Sequence, residues 1–287
     1  MLIVVAMRCT DAHASVRPLS GEVHADPRMA GPSPADHAAL ESGLRLAERT
    51  GGRCVVVTQA PVAAEDVLRE ALSCGANEVL RVDSGAEPDE RAADSGAGTA
   101  KSLAGAIRAR FGVPDVLLTG DHSIDRGTGA TPAFLASEMR CAQALGLVSL
   151  ETTGTDEGGR LRGVRRLDRG RRERLAIPLP AVCSVEPAGV RLRTATLPAT
   201  LAARSAEIPV HQVAAEPAAL RVRAASGYRP RAKELPPPAG SEARQRVLEL
   251  TGAHEQREPP RIVTTDDPAE AAEELVSFLR DKGYLDG

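Results

Sequence analysis

Over the first 150 residues, short apolar runs alternate with helix-length amphipathic stretches. Leu2 to Met7 (LIVVAM) is apolar throughout, the pattern of a strand buried on both faces. Asp36 to Thr50 carries Leu40, Leu44 and Leu46 near helical spacing and is stopped by Gly51 and Gly52. Cys54 to Thr58, Glu78 to Val82, Pro114 to Thr119 and Leu147 to Leu150 read as further strands. Helices are predicted between them over Ala63 to Cys74, Thr99 to Arg110 and Thr131 to Leu145. Such alternation implies right-handed crossovers and an α/β fold: a Rossmann-like, mainly parallel sheet with helices on both faces.

The pattern changes after residue 150. Gly158 and Gly159 punctuate a β-hairpin spanning 158–178, with runs Arg160 to Leu167 and Arg172 to Pro178. Pro180 to Val185 is one more short strand, which sets an α/β domain over 1–185. Residues 186–240 hold many Pro, Ala and Arg with weak periodicity and read as an extended arm ending in the stiff linker Leu235 to Gly240. Two helical stretches, Ser241 to Leu250 and Pro268 to Leu285, close a region 186–287. Asp267 before Pro268 is a good start signal for the second.

Composition removes several classes of function. Aromatic residues are only 2% of the chain, so recognition by stacking successive bases is excluded, and a net charge of −3 supplies no basic field for nucleic acid. Arg160 to Arg174 does hold eight arginines against Asp168 and Glu173, which reads as a solvated or subunit-facing strip. No run reaches the ~18–20 apolar residues of a membrane span, and MLIVVAMRCTDAH lacks the marks of a signal peptide. Cys9, Cys54, Cys74, Cys141 and Cys183 are odd in number with no CxxC, against a disulfide framework or a zinc cage. A cytoplasmic protein without membrane insertion and without a metal is expected.

The richest chemistry lies in Thr119 to Leu135 (TGDHSIDRGTGATPAFL), a strand end running into a helix. Ligands of open α/β sheets bind beyond the carboxyl ends of strands. Gly120 opens this loop; Gly127 and Gly129 let a phosphate approach the backbone; Thr128 and Thr131 add hydroxyl donors. Ser123, Asp125, Arg126 and Ala130 belong to the same candidate site, with Arg126 able to pair with an anion. The alternative is a plain turn capping a helix, and neither GxxxxGK[ST] nor GxGxxG is present. Ser33, Pro34 and Asp36 precede the first long helix, either as its cap or as an edge gripping an adenine or ribose. Gln59, with Ala60 and Pro61, stands at the end of the second strand, so loops of three consecutive βα units on one sheet edge make a nucleotide crevice the expected site. No nucleophile–base pair has a recognisable spacing, and no catalytic residue is assigned.

Taken together these segments resemble the beta subunit of electron transfer flavoproteins, through nearly the whole chain. Ser33 to Asp36 resembles that family's Asn-Pro-Phe-Asp segment, and Arg69 to Asn77 its Ala-Leu-Ala-Met-Gly-Ala-Asp stretch. Asp115 to Gly120 with Ser123 to Asp125 and Gly127 to Gly129 resembles the adenylate-binding loop. Val164-Arg165 and Leu179 to Val182 match the signature Val-x-Arg … Leu-Pro-Ala-Val. The resemblance implies an electron-carrier subunit that binds AMP, or a second FAD, at Ala6, Ser33, Gln59 and the 120–131 loop, and completes the FAD site of an alpha subunit. It also implies docking of a dehydrogenase through a leucine, here Leu197 in Arg193 to Pro198, and passage of electrons to a downstream acceptor. The family's Asn is Ser33 here, its Phe is Ala35, and its Lys-Gln after the glycine is Asp121-His122, departures that imply a partner other than an acyl-CoA dehydrogenase. Val247 to Gly252 and Pro259 to Val263 resemble a divergent branch that accompanies mycofactocin systems. The rival reading is a stand-alone adenine-nucleotide sensor without flavin, for which the long arm would be superfluous; an enzyme acting on a nucleotide would need a nucleophile or metal cluster.

Overall fold

A computed structural model describes the chain except residues 12, 18–19, 21, 25, 27–28, 86–91, 94–95, 126, 153–160, 215–219, 222–236, 239–240, 252–261 and 286–287. Arg126, the Gly158-Gly159 turn, most of the 235–240 linker and much of the C-terminal resemblance therefore lie outside the described residues. The chain divides into two compact units, Met1–Tyr228 and Arg229–Gly287.

Nine strands form the central sheet of the first unit: β1 (Leu2–Ala6), β2 (Arg53–Gln59), β3 (Glu78–Asp83), β4 (Val116–Gly120), β5 (Ala142–Thr152), β6 (Leu161–Arg166), β7 (Arg172–Ile177), β8 (Ala181–Val185) and β9 (Val210–Gln212). Their spatial order is β7-β6-β5-β8-β4-β1-β2-β3-β9. All neighbours run parallel except β5–β6 and β6–β7, which form an antiparallel meander at one edge. The expected α/β fold, with its hairpin, is what the chain adopts.

The central strands are apolar on both sides because both faces are covered. Ile3 and Val5 point into one core with Leu40, Leu44 and Leu46 of α1 (Pro34–Thr50) and Leu68 of α2 (Glu65–Ser73). Val4 and Ala6 point the other way, into a second core with Leu103 and Ile107 of α3 (Ala97–Phe111) and Leu135 of α4 (Thr131–Met139). The period-2 alternation of a strand thus divides one apolar run between two layers.

Two stretches differ from expectation. The helix expected to run to Leu145 ends at Met139, because Arg140 takes a left-handed conformation (φ 52°) and closes it. Residues from Ala142 instead form the long β5, which is irregular between Ala144 and Leu147 on its ladder with β8 and between Leu147 and Ser149 on its ladder with β6. The segment read as an extended arm contains α5 (Leu197–Ser205) and β9, which pairs with β3 at the sheet edge, so the first unit continues past residue 185. In the second unit, α6 (Ala243–Thr251) is followed by α7 (Pro268–Asp281), whose Asp267 carboxylate accepts from Ala269 N at 2.8 Å. No helix among the described residues is long and apolar enough to cross a membrane.

Candidate functional site: a crevice at the strand ends

The carboxyl ends of β4, β1 and β2 lie side by side, and the loops that leave them enclose a crevice of about 640 Å³, counting its open mouth. Ala6, Asp36, Gln59 and Gly120 line it, as do Ser123, Thr128, Gly129 and Thr131. Ser33 and Pro34 stand behind Asp36 rather than on the wall, while Asp125, Gly127 and Ala130 belong to the loop without forming its lining. A second chamber of about 760 Å³, again open, adjoins the crevice and shares Arg8, Gln59 and Thr99 with it. Its other walls are small, including Cys9, Ala60, Ala63 and Ala64.

Backbone geometry explains the glycines. Gly127 and Gly129 have φ of 63° and 58°, a region that residues with a Cβ rarely occupy, and a Cβ on Gly129 would stand 2.8 Å from Asp121 O. Gly120 matters for a different reason. A Cβ there would come within 2.9 Å of Ala35 Cβ and 3.1 Å of the Ala35 carbonyl carbon, so the end of β4 packs directly on the first turn of α1.

Ser33 and Asp36 form the reciprocal cap of α1. Asp36 N donates to Ser33 Oγ at 3.1 Å, while Asp36 Oδ2 accepts from Ser33 N at 3.0 Å and from the Ser33 hydroxyl at 2.6 Å. Arg8 N donates to the other oxygen, Oδ1, at 3.1 Å. Burial pushes the Asp36 carboxyl up, only partly offset by the hydrogen bonds from Ser33 and Arg8. Capping and lining the crevice therefore coexist in Asp36: it neutralises the N-terminus of its own helix.

Two further helices, α3 and α4, begin at the crevice. α3 starts at Gly96 and α4 at Ala130, neither with a side-chain cap, and Gly96 packs so closely on α4 that a Cβ would sit 2.8 Å from Thr131 Oγ1. Two positive dipole ends thus meet beside Thr99, Thr128 and Thr131, an arrangement suited to an anion. Just past the end of β1, Arg8 pairs with Asp125 at 2.6 Å. Burial alone would raise the Asp125 carboxyl, but the Ser123 hydroxyl and the Arg8 guanidinium hold it below the usual carboxylate range. Sequence reasoning did not single out Arg8 or Thr99. Arg8 follows directly on a strand end, a usable signal, whereas Thr99 reaches the site only through the β3–α3 crossover.

Away from the crevice, Leu197 is the first residue of α5 and 72% exposed, with Leu201 one turn on at 55%. Both ends of this helix are held. Arg69 of α2 donates to the carbonyls of Ala203, Arg204 and Ala206 at 2.8–3.0 Å. Arg193, ahead of the helix, donates through N and Nε to Glu41 Oε2 at 3.1 and 3.0 Å and also pairs with Glu48. Burial alone would raise Glu41, yet hydrogen bonds from Arg193 and Arg45 leave it below its ordinary range.

Comparison with known proteins agrees with this architecture. A family model described as the electron transfer flavoprotein domain matches residues 25–216. The chain is similar to the protein FixA of Azorhizobium caulinodans, 31% identical over 182 residues that make up 62% of each chain. It is similar to the protein FixA of Rhizobium meliloti, 39% identical over 112 residues, 39% of this chain and 38% of that one. It is also similar to the electron transfer flavoprotein subunit beta of Mycobacterium tuberculosis, 28% identical over 177 residues, 60% of this chain and 63% of that one. The matched segments thus span less than two thirds of these relatives. With the family model covering most of the α/β unit, the chain belongs to the electron transfer flavoprotein family.

Proposed function

We propose that this chain is the beta-type subunit of a heterodimeric electron transfer flavoprotein, working in the cytoplasm. In this reading it binds AMP in the crevice and completes an FAD site owned mainly by an alpha subunit. The flavin would carry the electrons; the protein supplies distance and orientation. Electrons would enter from a dehydrogenase docked on α5 around Leu197 and leave to a downstream acceptor.

The observation that carries the reading is the convergence of the N-termini of α3 and α4 beside Thr99, Thr128 and Thr131 in the crevice, on a chain of this family. Ala6, Asp36, Gln59 and Gly120 would surround the nucleoside, and the loop from Ser123 to Thr131, with Gly127, Gly129 and Ala130, would hold its phosphate. The adjoining chamber favours a second possibility at the same site: small walls beyond Gln59 leave room for a longer ligand, so a second FAD could replace AMP. A nucleotide sensor working alone is less well supported, because α5 is clamped at both ends while presenting two leucines to solvent. Co-expression with an electron transfer flavoprotein alpha subunit tests the proposal. A co-purifying pair with flavin absorbance is expected; two chains that elute apart, with no flavin on either, would overturn it.

A further inference from the structure

The stretch 187–195, which leads into α5, belongs to no helix or strand. Val190, Leu192 and Ala195 pack against the core, but apolar contact has no direction and cannot by itself set the angle at which a chain enters a helix. Among the described residues, every hydrogen bond of this stretch involves Arg193. Its main target is a buried carboxylate, since the Glu41 side chain on α1 is only 5% exposed. Besides the two bonds to Glu41 Oε2, Arg193 Nη2 donates to Oε1 at 3.3 Å, and Arg45 Nε donates to the same oxygen at 2.7 Å. Two turns further along α1, Glu48 accepts from Arg193 Nη2 at 3.2 Å. A buried carboxylate is costly unless both its charge and its lone pairs are matched, and the planar guanidinium matches both in one fixed orientation.

We propose that Arg193 is a positioning residue for partner docking: by locking onto Glu41 and Glu48 it sets the axis of α5 and so the direction in which Leu197 and Leu201 face a partner. This rests on the docking reading of α5 given above. A helix held at one end can pivot about it, whereas two fixed ends define an axis. Arg69 fixes the far end, at the carbonyls of Ala203, Arg204 and Ala206. Arg193 fixes the near end, four residues ahead of Leu197, the more exposed of the two leucines. Arg193 itself stands away from the exposed face, so it acts through the helix rather than by touching the partner.

The test places one spin label on α5 and one on α4, at Ala202→Cys and Ser137→Cys, both exposed positions, in the full chain with Cys9 and Cys141 replaced by serine. Double electron–electron resonance should give a single narrow distance while Arg193 is in place. Arg193→Met alone leaves the Glu41 charge buried and poorly matched, so the informative variant joins it to Glu41→Met, which removes both charges and keeps apolar volume. This pair should melt with wild type yet lose the narrow distance. In a complex with an electron transfer flavoprotein alpha subunit it should also raise the KM of a dehydrogenase for the complex while kcat and flavin content stay unchanged. A narrow distance that persists in the pair overturns the inference and leaves α5 held by Arg69 and apolar packing alone. If the distance spreads but neither the pair nor Leu197→Ala raises that KM, the docking reading of α5 fails and this inference fails with it.

Discussion

The Arg8 guanidinium meets the Asp125 carboxylate at 2.6 Å and thereby ties the end of β1 to the loop that follows β4. Both side chains are about one third exposed, so the pair contributes less than ~1 kcal/mol to stability. Its consequence is positional: it fixes one wall of the crevice. Asp125→Asn should leave the unfolding free energy within ~1 kcal/mol of wild type while weakening AMP binding several-fold. Denaturant unfolding and calorimetric titration check the two halves. Unchanged affinity would place the ligand away from this loop. Because the Asp125 carboxyl is held below the usual carboxylate range, the link stands at neutral pH and opens only as pH falls through that lowered value.

His37 and Glu70 join the first turns of α1 to α2, with Nε2 and Oε1 3.2 Å apart. Glu70 raises the His37 imidazole above its usual value, against a smaller opposing effect of burial. A raised histidine contributes stability that is fully present below its unfolded value of about 6.5 and is lost as pH rises through the folded value. Stability should therefore decline slightly from pH ~6 upward through this window, by less than ~1 kcal/mol for so exposed a pair. Glu70→Gln should flatten that segment of the profile. A slope that persists in the variant would assign it to another group.

Gly120→Ala should be costly although the residue is a glycine in a strand with ordinary backbone angles. The added methyl meets Ala35 at 2.9 Å, so either β4 or the start of α1 must shift. A loss of about 1–3 kcal/mol is expected from such overpacking, with weakened nucleotide binding as the cap of α1 moves. Thermal unfolding with and without AMP measures both. Gly129→Val is a less clean probe of phosphate contact, because the left-handed φ and the 2.8 Å approach to Asp121 O strain that loop whether or not a ligand is bound.

Leu197→Ala should change stability by less than ~0.5 kcal/mol, since its side chain is exposed on a helix anchored elsewhere. If the chain pairs and docks as proposed, the change should slow electron transfer from a dehydrogenase in a complex with an electron transfer flavoprotein alpha subunit and leave flavin content intact. Stopped-flow reduction and absorbance at the flavin band read the two quantities. Loss of flavin instead would make α5 a structural element of the cofactor site.

Much of this fold is legible in the pattern of residues, for identifiable reasons. Leu2–Ala6 is apolar at every position because both of its faces are covered, and Gly51 closes α1 in the left-handed conformation a glycine provides. Residues 140–146 were not legible. Arg140, not a glycine, takes the left-handed position that ends α4, and the alanine- and leucine-rich run after it suits either a helix or a strand. α5 carried readable signals, Thr196 as cap and Pro198 in the first turn, that the surrounding prolines and weak periodicity obscured. At the crevice, residues near the strand ends and the local cap of α1 by Ser33 and Asp36 were visible as candidates, but the arrival of Thr99 from α3 depends on tertiary packing.

The most direct test of the account is the nucleotide content of the protein purified after co-expression with an electron transfer flavoprotein alpha subunit. Denaturing the complex and resolving the released small molecules by chromatography should give FAD together with an adenine nucleotide, either one AMP or a second FAD per heterodimer. An adenine nucleotide released from the lone chain, with no flavin and no association with an alpha subunit, would contradict the carrier reading and leave a nucleotide-binding module in its place.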